Sequence, residues 1–124
     1  MILYTINGVS TPTQHAGVAA LNGPQECIAD MLAEYRKRRD LLFEGVKQCS
    51  LLSCEQPPRG AIYLYAAITD EWKGTDWDLV DHLIDTHGLG CVPGNQFGDP
   101  APALRFCFAC STEMILQATA ALRG

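Results

Sequence analysis

No run of apolar residues in this sequence approaches the roughly 20 that a bilayer-spanning helix needs. The opening stretch, MILYTINGVS, lacks both the charged start and the long apolar centre of an export signal. Positive charge is also in short supply: nine Lys and Arg stand against 14 Asp and Glu, a net charge of −5. That balance leaves nothing to neutralise a phosphate backbone, which argues against nucleic acid as a partner. There is no internal repeat, no low-complexity tract and no linker. No Ser/His/Asp arrangement is present, and PGNQFG lacks the lysine and the strand-to-helix context of a phosphate-binding loop. From these absences a cytoplasmic chain, with neither membrane nor nucleic acid as partner, is expected. Its 124 residues, 48% hydrophobic and 19% charged, are enough for one packed core.

Without an export signal, the six cysteines do not read as a disulfide framework. Cys27, Cys91, Cys107 and Cys110 sit in apolar stretches, where a free thiol behaves as a small hydrophobe, so reduced and mostly buried thiols are expected. Cys107-x-x-Cys110 is the most tempting short motif for redox or metal chemistry. Strand alternation puts its two sulfurs on opposite faces unless the strand ends first, and no second CxxC or histidine pair completes a tetrahedral site. A cysteine-based metal or redox protein is therefore a distant alternative. His82 and His87, five apart on a helix, do not share a face well, and they read with His15 as surface or packing positions. The basic run Arg36-Lys37-Arg38-Arg39, offset by Glu34 and Asp40, reads as a solvated helix face.

Local signals divide the chain into alternating elements. Thr11 is placed to cap a short small-residue helix, with Pro12 in its first turn and Gln14 as capping-box partner. Asn22-Gly23 ends that helix, and Pro24 opens a longer one with Ile28, Met31, Leu32, Tyr35, Leu42 and Val46 at helical spacing. After the Pro57-Pro58-Arg59-Gly60 break, AIYLYAAI reads as a buried strand. Thr75 precedes a third helix with Asp76 and Asp78 in its dipole-favoured first turn. Its expected inner face holds Trp77, Val80, Leu83, Ile84 and His87, and Gly88 ends it. LGCV and ALRFCFA are further strands, and Ser111 or Thr112 caps a last helix. The result is an α+β fold: helices packed on a small sheet of about three strands. The first ten residues are apolar enough to want a partner from elsewhere.

One residue asks for a partner that its neighbours do not supply. In ALRFCFACS, alternation sends Leu104, Phe106 and Phe108 to one face and Arg105, Cys107 and Ala109 to the other. A guanidinium set among apolar residues has two readings. Its stem packs while its head reaches solvent at a sheet edge, or it is a fork awaiting a carboxylate, which it binds with two parallel hydrogen bonds. The irregular Gly/Pro loop just upstream favours the second, since loops at strand ends line sites.

PPRGAIYLYAAI, then LGCVPGNQFG, then ALRFCFACS resembles the C-terminal part of fold-type I, pyridoxal-phosphate-dependent aminotransferases of the aspartate aminotransferase family (class I/II). Upstream, STPTQHAGVAALNGPQECIADMLAEYRKRRDLL is similar to the helix that leads into the small domain there, with Tyr35, Arg39 and Asp40 matching a Tyr-x-x-x-Arg-Asp stretch. The resemblance implies that Arg105 binds the α-carboxylate of an amino-acid or 2-oxo-acid substrate, that Gly60 and its neighbours form a supporting turn, and that Pro93-Gly94 to Phe97-Gly98 shapes the path to Arg105. It implies residues 1–23 as a segment leading from an absent large domain, residues 24–124 as the small domain, and a homodimer. Asn7 to Thr11 resembles the segment that approaches cofactor and dimer interface. The Schiff-base lysine of the family has no counterpart, since Lys37, Lys47 and Lys73 lack its Ser-x-Ser-Lys-type context. The ring-nitrogen aspartate, the stacking aromatic and the phosphate cup are missing too. Met1 falls where about two-thirds of such an enzyme has already passed. Pyridoxal 5'-phosphate is therefore expected in a full-length enzyme and not on this chain alone, which is expected to be inactive. The rival reading is a truncated, non-catalytic interaction module.

Overall fold

The computed structural model describes residues 8–98 and 100–123, so residues 1–7, including Asn7 and most of the apolar opening stretch, lie outside it. The chain divides into two compact units, residues 1–32 and 33–124.

In the first unit, helix α1 (Thr11–Asn22) has no buried residue. Its cap differs from the expectation. Ser10, not Thr11, takes the N-cap position, without a side-chain hydrogen bond to the backbone. Gln14 instead donates from Nε2 to the carbonyl of Val9 at 2.8 Å. Helix α2 (Glu26–Lys47) begins in this unit, and there Ile28, Met31 and Leu32 are exposed.

The second unit carries the core. From the C-terminal half of α2, Leu42 and Val46, one turn apart, are buried. Four antiparallel strands follow: β1 (Leu52–Ser53), β2 (Tyr63–Ile68), β3 (Val92–Pro93) and β4 (Ala103–Cys107), in the spatial order β1-β2-β4-β3. Helix α3 (Asp76–His87) and a 3-10 helix (Gly94–Phe97) lie between strands in sequence, and α4 (Thr112–Ala121) follows β4. The fold is thus α+β as expected, with one strand more than the expected three. The extra strand, β1, is two residues long, too short for any periodicity to reveal it, and it exists because Leu52 and Ser53 pair with Ile68 and Ala67.

One face of the sheet is the core. Leu64 and Ala66 of β2 and Leu104 and Phe106 of β4 are buried with Phe108, Leu79, Val80, Leu83, Ile115 and Leu122. Helices α2 and α4 meet closely: a Cβ on Gly45 would overlap the Thr119 side chain. Helix α3 is closed at both ends by local chemistry. Thr75 and Asp78 form a capping box, and Gly88 at φ 64° supplies the left-handed residue that ends the helix. Its inner face is rotated from the expected one. Asp76, Leu79, Val80 and Leu83 are buried, while Trp77 and Ile84 stay nearly half exposed.

The basic run is only partly solvated. Arg36 and Lys37 are exposed, but Arg38 and Arg39 are half-buried. Arg38 donates from Nη1 to the carbonyl of Cys110 at 2.6 Å, and Arg39 donates from Nη1 to the carbonyl of Pro58 at 3.2 Å while pairing with Asp40. The Arg-Asp pair therefore anchors the Pro-Pro-Arg-Gly turn, two stretches 19 residues apart in sequence.

Candidate functional site

β4 is an interior strand, flanked by β2 and β3, so the sheet-edge reading of Arg105 fails on topology. Arg105 is paired in register with Tyr65 on one side and Val92 on the other. Alternation holds as expected: Leu104, Phe106 and Phe108 are buried, Arg105 is half-buried and Cys107 is exposed. The guanidinium therefore stands on the face of the sheet opposite the core, beside a cleft of about 230 Å³ lined by Tyr63, Gly90, Cys91, Val92, Arg105 and Cys107.

Two aromatic rings grip it. The Arg105 Cζ lies 4.2 Å from the centroid of Tyr63 and 4.2 Å from that of Phe97. Among the described residues no carboxylate pairs with it; the ion pairs are Lys37–Glu34, Arg39–Asp40 and Lys47–Glu44. Rings attract a planar cation at its faces and leave its N–H edge for an anion. Burial pushes the Cys91 thiol up to about 11, so this wall of the cleft is uncharged at neutral pH and does not compete for the guanidinium.

The loop that brings Phe97 is held from below. Gly94 packs so closely that a Cβ there would collide with the Tyr65 hydroxyl and come within 3.0 Å of the Ala103 Cβ. Asp76, only 6% exposed, accepts the Asn95 backbone N–H at 3.0 Å through Oδ2 and the Asn95 side-chain amide at 3.3 Å through Oδ1. Gly60 lies three residues before Tyr63 in an exposed turn and does not line the cleft.

The contacts of Tyr63, Phe97 and Asp76 around Arg105 were not visible to sequence reasoning. Alternation along β2 sends Tyr63 to the face of Arg105, a signal that required knowing which strands pair. Phe97 lay within a loop already flagged. Asp76 looked like a dipole complement on a helix N-terminus, and nothing local revealed its contact 19 residues away.

The cysteines depart from expectation. Cys27 and Cys107 are exposed, Cys54, Cys91 and Cys110 are half-buried, and Cys49 alone of the six is buried; all are free thiols. The strand ends at Cys107, so the chain turns back and Cys110 Sγ lies 3.8 Å from the Cys107 carbonyl. Both thiols line a groove of about 340 Å³ with Leu42, Leu89, Met114 and Ile115. Burial raises the Cys110 thiol above its ordinary value, which suits packing better than reactivity. No group of three or more His, Cys, Asp or Glu able to hold a metal occurs among the described residues. His82 and His87, contrary to expectation, do meet: their rings lie edge to face at 6.3 Å, and Trp72 packs on His82 at 5.5 Å.

The described residues do not fit pyridoxal 5'-phosphate. That group needs a lysine to hold it as a Schiff base, and none of the three lysines lines the cleft. Lys37 and Lys47 pair with Glu34 and Glu44 one helical turn away, and Lys73 donates to the Asp70 carbonyl.

Comparison with known proteins places the chain. The family model "Aminotransferase class I and II" matches residues 2–122. A probable aspartate aminotransferase of Methanocaldococcus jannaschii is 34% identical over 116 residues, covering 93% of this chain and 29% of that protein. An LL-diaminopimelate aminotransferase of Halothermothrix orenii is 31% identical over 120 residues, with 95% and 30% covered. The crystal structure of the aspartate aminotransferase of Rhizobium meliloti superposes with a TM-score of 0.78 at 30% identity, over 89% of this chain and 29% of that one. The chain thus spans under a third of the length of the relatives it matches.

Proposed function

Because the chain belongs to the class I and II aminotransferases, we propose that it is the small, C-terminal, substrate-carboxylate-binding domain of a longer enzyme that moves an amino group between an amino acid and a 2-oxo acid. The observation that carries this reading is Arg105: a guanidinium on the open face of an interior strand, gripped by Tyr63 and Phe97, with its N–H edge free of any described carboxylate. The relatives' names span aspartate and LL-diaminopimelate. What those substrates share is an amino-acid carboxylate, the group a guanidinium fork binds bidentately. Fixing that carboxylate orients the α-carbon, and positioning of this kind supplies much of an enzyme's advantage.

In this reading residues 24–124 form the small domain, and residues 1–23 lead in from a large domain that holds pyridoxal 5'-phosphate, an electron sink for carbanion chemistry. Gly60 supports the site indirectly, through the exposed turn that feeds Tyr63. The exposed apolar side chains Val18, Leu21, Ile28, Met31 and Leu32 of the first unit are the surface that the remainder of the enzyme, and its homodimer partner, would cover. The setting is cytoplasmic. By itself the chain is inactive and binds carboxylates in the millimolar range or weaker, because a solvent-open ion pair contributes about 1 kcal/mol or less.

The test is a titration of the arginine-labelled protein with 2-oxoglutarate, followed by NMR. A saturable movement of the Arg105 Nε–H resonance that disappears in Arg105→Gln is expected. Saturable binding that survives Arg105→Gln overturns the assignment.

A further inference from the structure

Helix α3 and the 3-10 helix are joined by one buried carboxylate. Asp76 is the first residue of α3, and its Oδ1 accepts the Trp77 N–H at 3.0 Å. The same carboxylate takes both donors of Asn95, backbone and side chain. Asn95 is the second residue of the 3-10 helix, whose own N-cap, Pro93, offers no side-chain hydrogen bond. The orphan N–H that every such helix leaves at its start is thus satisfied from another element. Two residues further along the same turn, Phe97 lies on the Arg105 guanidinium. The 3-10 helix starts where there is no room for a side chain, since a Cβ on Gly94 would overlap the Tyr65 hydroxyl and crowd Ala103. Gly98, at φ 77°, then turns the chain away.

We propose that Asp76 is a positioning residue for the carboxylate site, acting through Asn95 and Phe97 to hold the Arg105 guanidinium against the Tyr63 and Phe97 rings. The inference rests on the reading of Arg105 as the carboxylate binder. Asp76 does not line the cleft that holds Arg105. Its carboxylate fixes the turn, the turn fixes the ring, and the ring restricts the guanidinium it lies against. A long side chain left free must be ordered when its ligand arrives, which weakens binding several-fold.

Three variants of the full chain test this: Asp76→Ala, Phe97→Leu and Asp76→Asn. The first readout is the ring-current shift of the Arg105 Nε–H resonance with no ligand present, which a general loss of stability in a still-folded protein does not move. The second is the affinity for 2-oxoglutarate. Asp76→Ala and Phe97→Leu are expected to displace the Arg105 resonance alike and to weaken 2-oxoglutarate binding about threefold or more. Asp76→Asn, which keeps an acceptor for the Asn95 N–H, is expected to restore most of the resonance position. An Arg105 resonance unchanged in folded Asp76→Ala overturns the proposal, as does Asp76→Ala displacing it while Phe97→Leu does not. If unaltered protein binds no 2-oxoglutarate yet Asp76→Ala and Phe97→Leu still displace the resonance, the clamp stands and the carboxylate reading falls.

Discussion

The two faces of β4 are built from the same five residues and behave as different materials. On one side Leu104 and Phe106, with Phe108 just beyond the strand, are 0–3% exposed and sealed by helices. On the other, Ala103 is buried beneath the 3-10 helix, while Arg105 and Cys107 face a shallow cleft, Arg105 held against two aromatic rings. Stability resides on the sealed face, where apolar area leaves water. Recognition resides on the open face, where a cation is held without being neutralised. Because neighbouring residues point to opposite sides, one strand can carry a strict packing demand and a binding group one residue apart.

The sharpest way to break this division is to empty the sealed face. Phe108→Ala is expected to destabilise the protein by about 3–5 kcal/mol in urea unfolding, the cost of an aromatic cavity in a packed core. A small effect would mean that the helices do not form a tight layer. The converse substitution, Arg105→Gln, is expected to abolish carboxylate binding while lowering stability by only about 0.5–1 kcal/mol, the worth of its ring contacts at a partly exposed site. A larger loss would make Arg105 a structural residue.

The first turn of α3 serves both faces, so its cap sharpens the comparison. Thr75→Ala removes an acceptor for the Asp78 N–H and is expected to cost about 1 kcal/mol. The cost should depend on pH. Backbone and side-chain hydrogen bonds from Thr75 hold the Asp78 carboxyl below its ordinary value of 3.8. A carboxyl depressed on folding contributes fully above its unfolded value and loses that contribution as pH falls through the folded one. The stability gap between wild type and Thr75→Ala, followed by thermal melts, should therefore narrow in acid, where the Thr75 hydroxyl bond to the Asp78 carboxylate no longer counts. A gap that widens below the ordinary value would contradict the box. A small effect of opposite sign belongs to the turn before β2, where Ala61 adopts φ 59°. An L side chain is strained there and glycine is not. Ala61→Gly is expected to raise stability by about 0.5–1 kcal/mol without disturbing carboxylate affinity.

Much of this was legible along the chain because it is local. The Thr75 cap, the Gly88 stop, the alternation through β4 and the Ser111 cap of α4, which accepts the Met114 N–H at 3.2 Å, are settled within a few residues of each other. The isolated Arg105 was legible for the same reason: its neighbours in sequence hold no acid. The errors share a cause. Arg38 and Arg39 resemble solvated charges until the carbonyls of Cys110 and Pro58 come to meet them, and Cys110 resembles an opposite-face residue until the strand ends. The inner face of α3 was misplaced because an aspartate occupies a buried position that a hydrophobic pattern gives to Trp77.

The sequence by itself determined the helices and the main strands, the α+β class and the residue to watch, since propensity, capping and periodicity act over one or two turns. Only the tertiary structure decided that β4 is an interior strand, that Tyr63 and Phe97 close on Arg105, and that Asp76 ties the Phe97 turn in place. Those contacts join residues 8 to 42 positions apart, and their existence depends on which strands pair and how the helices pack. That is a property of the whole core, and no window of the chain contains it.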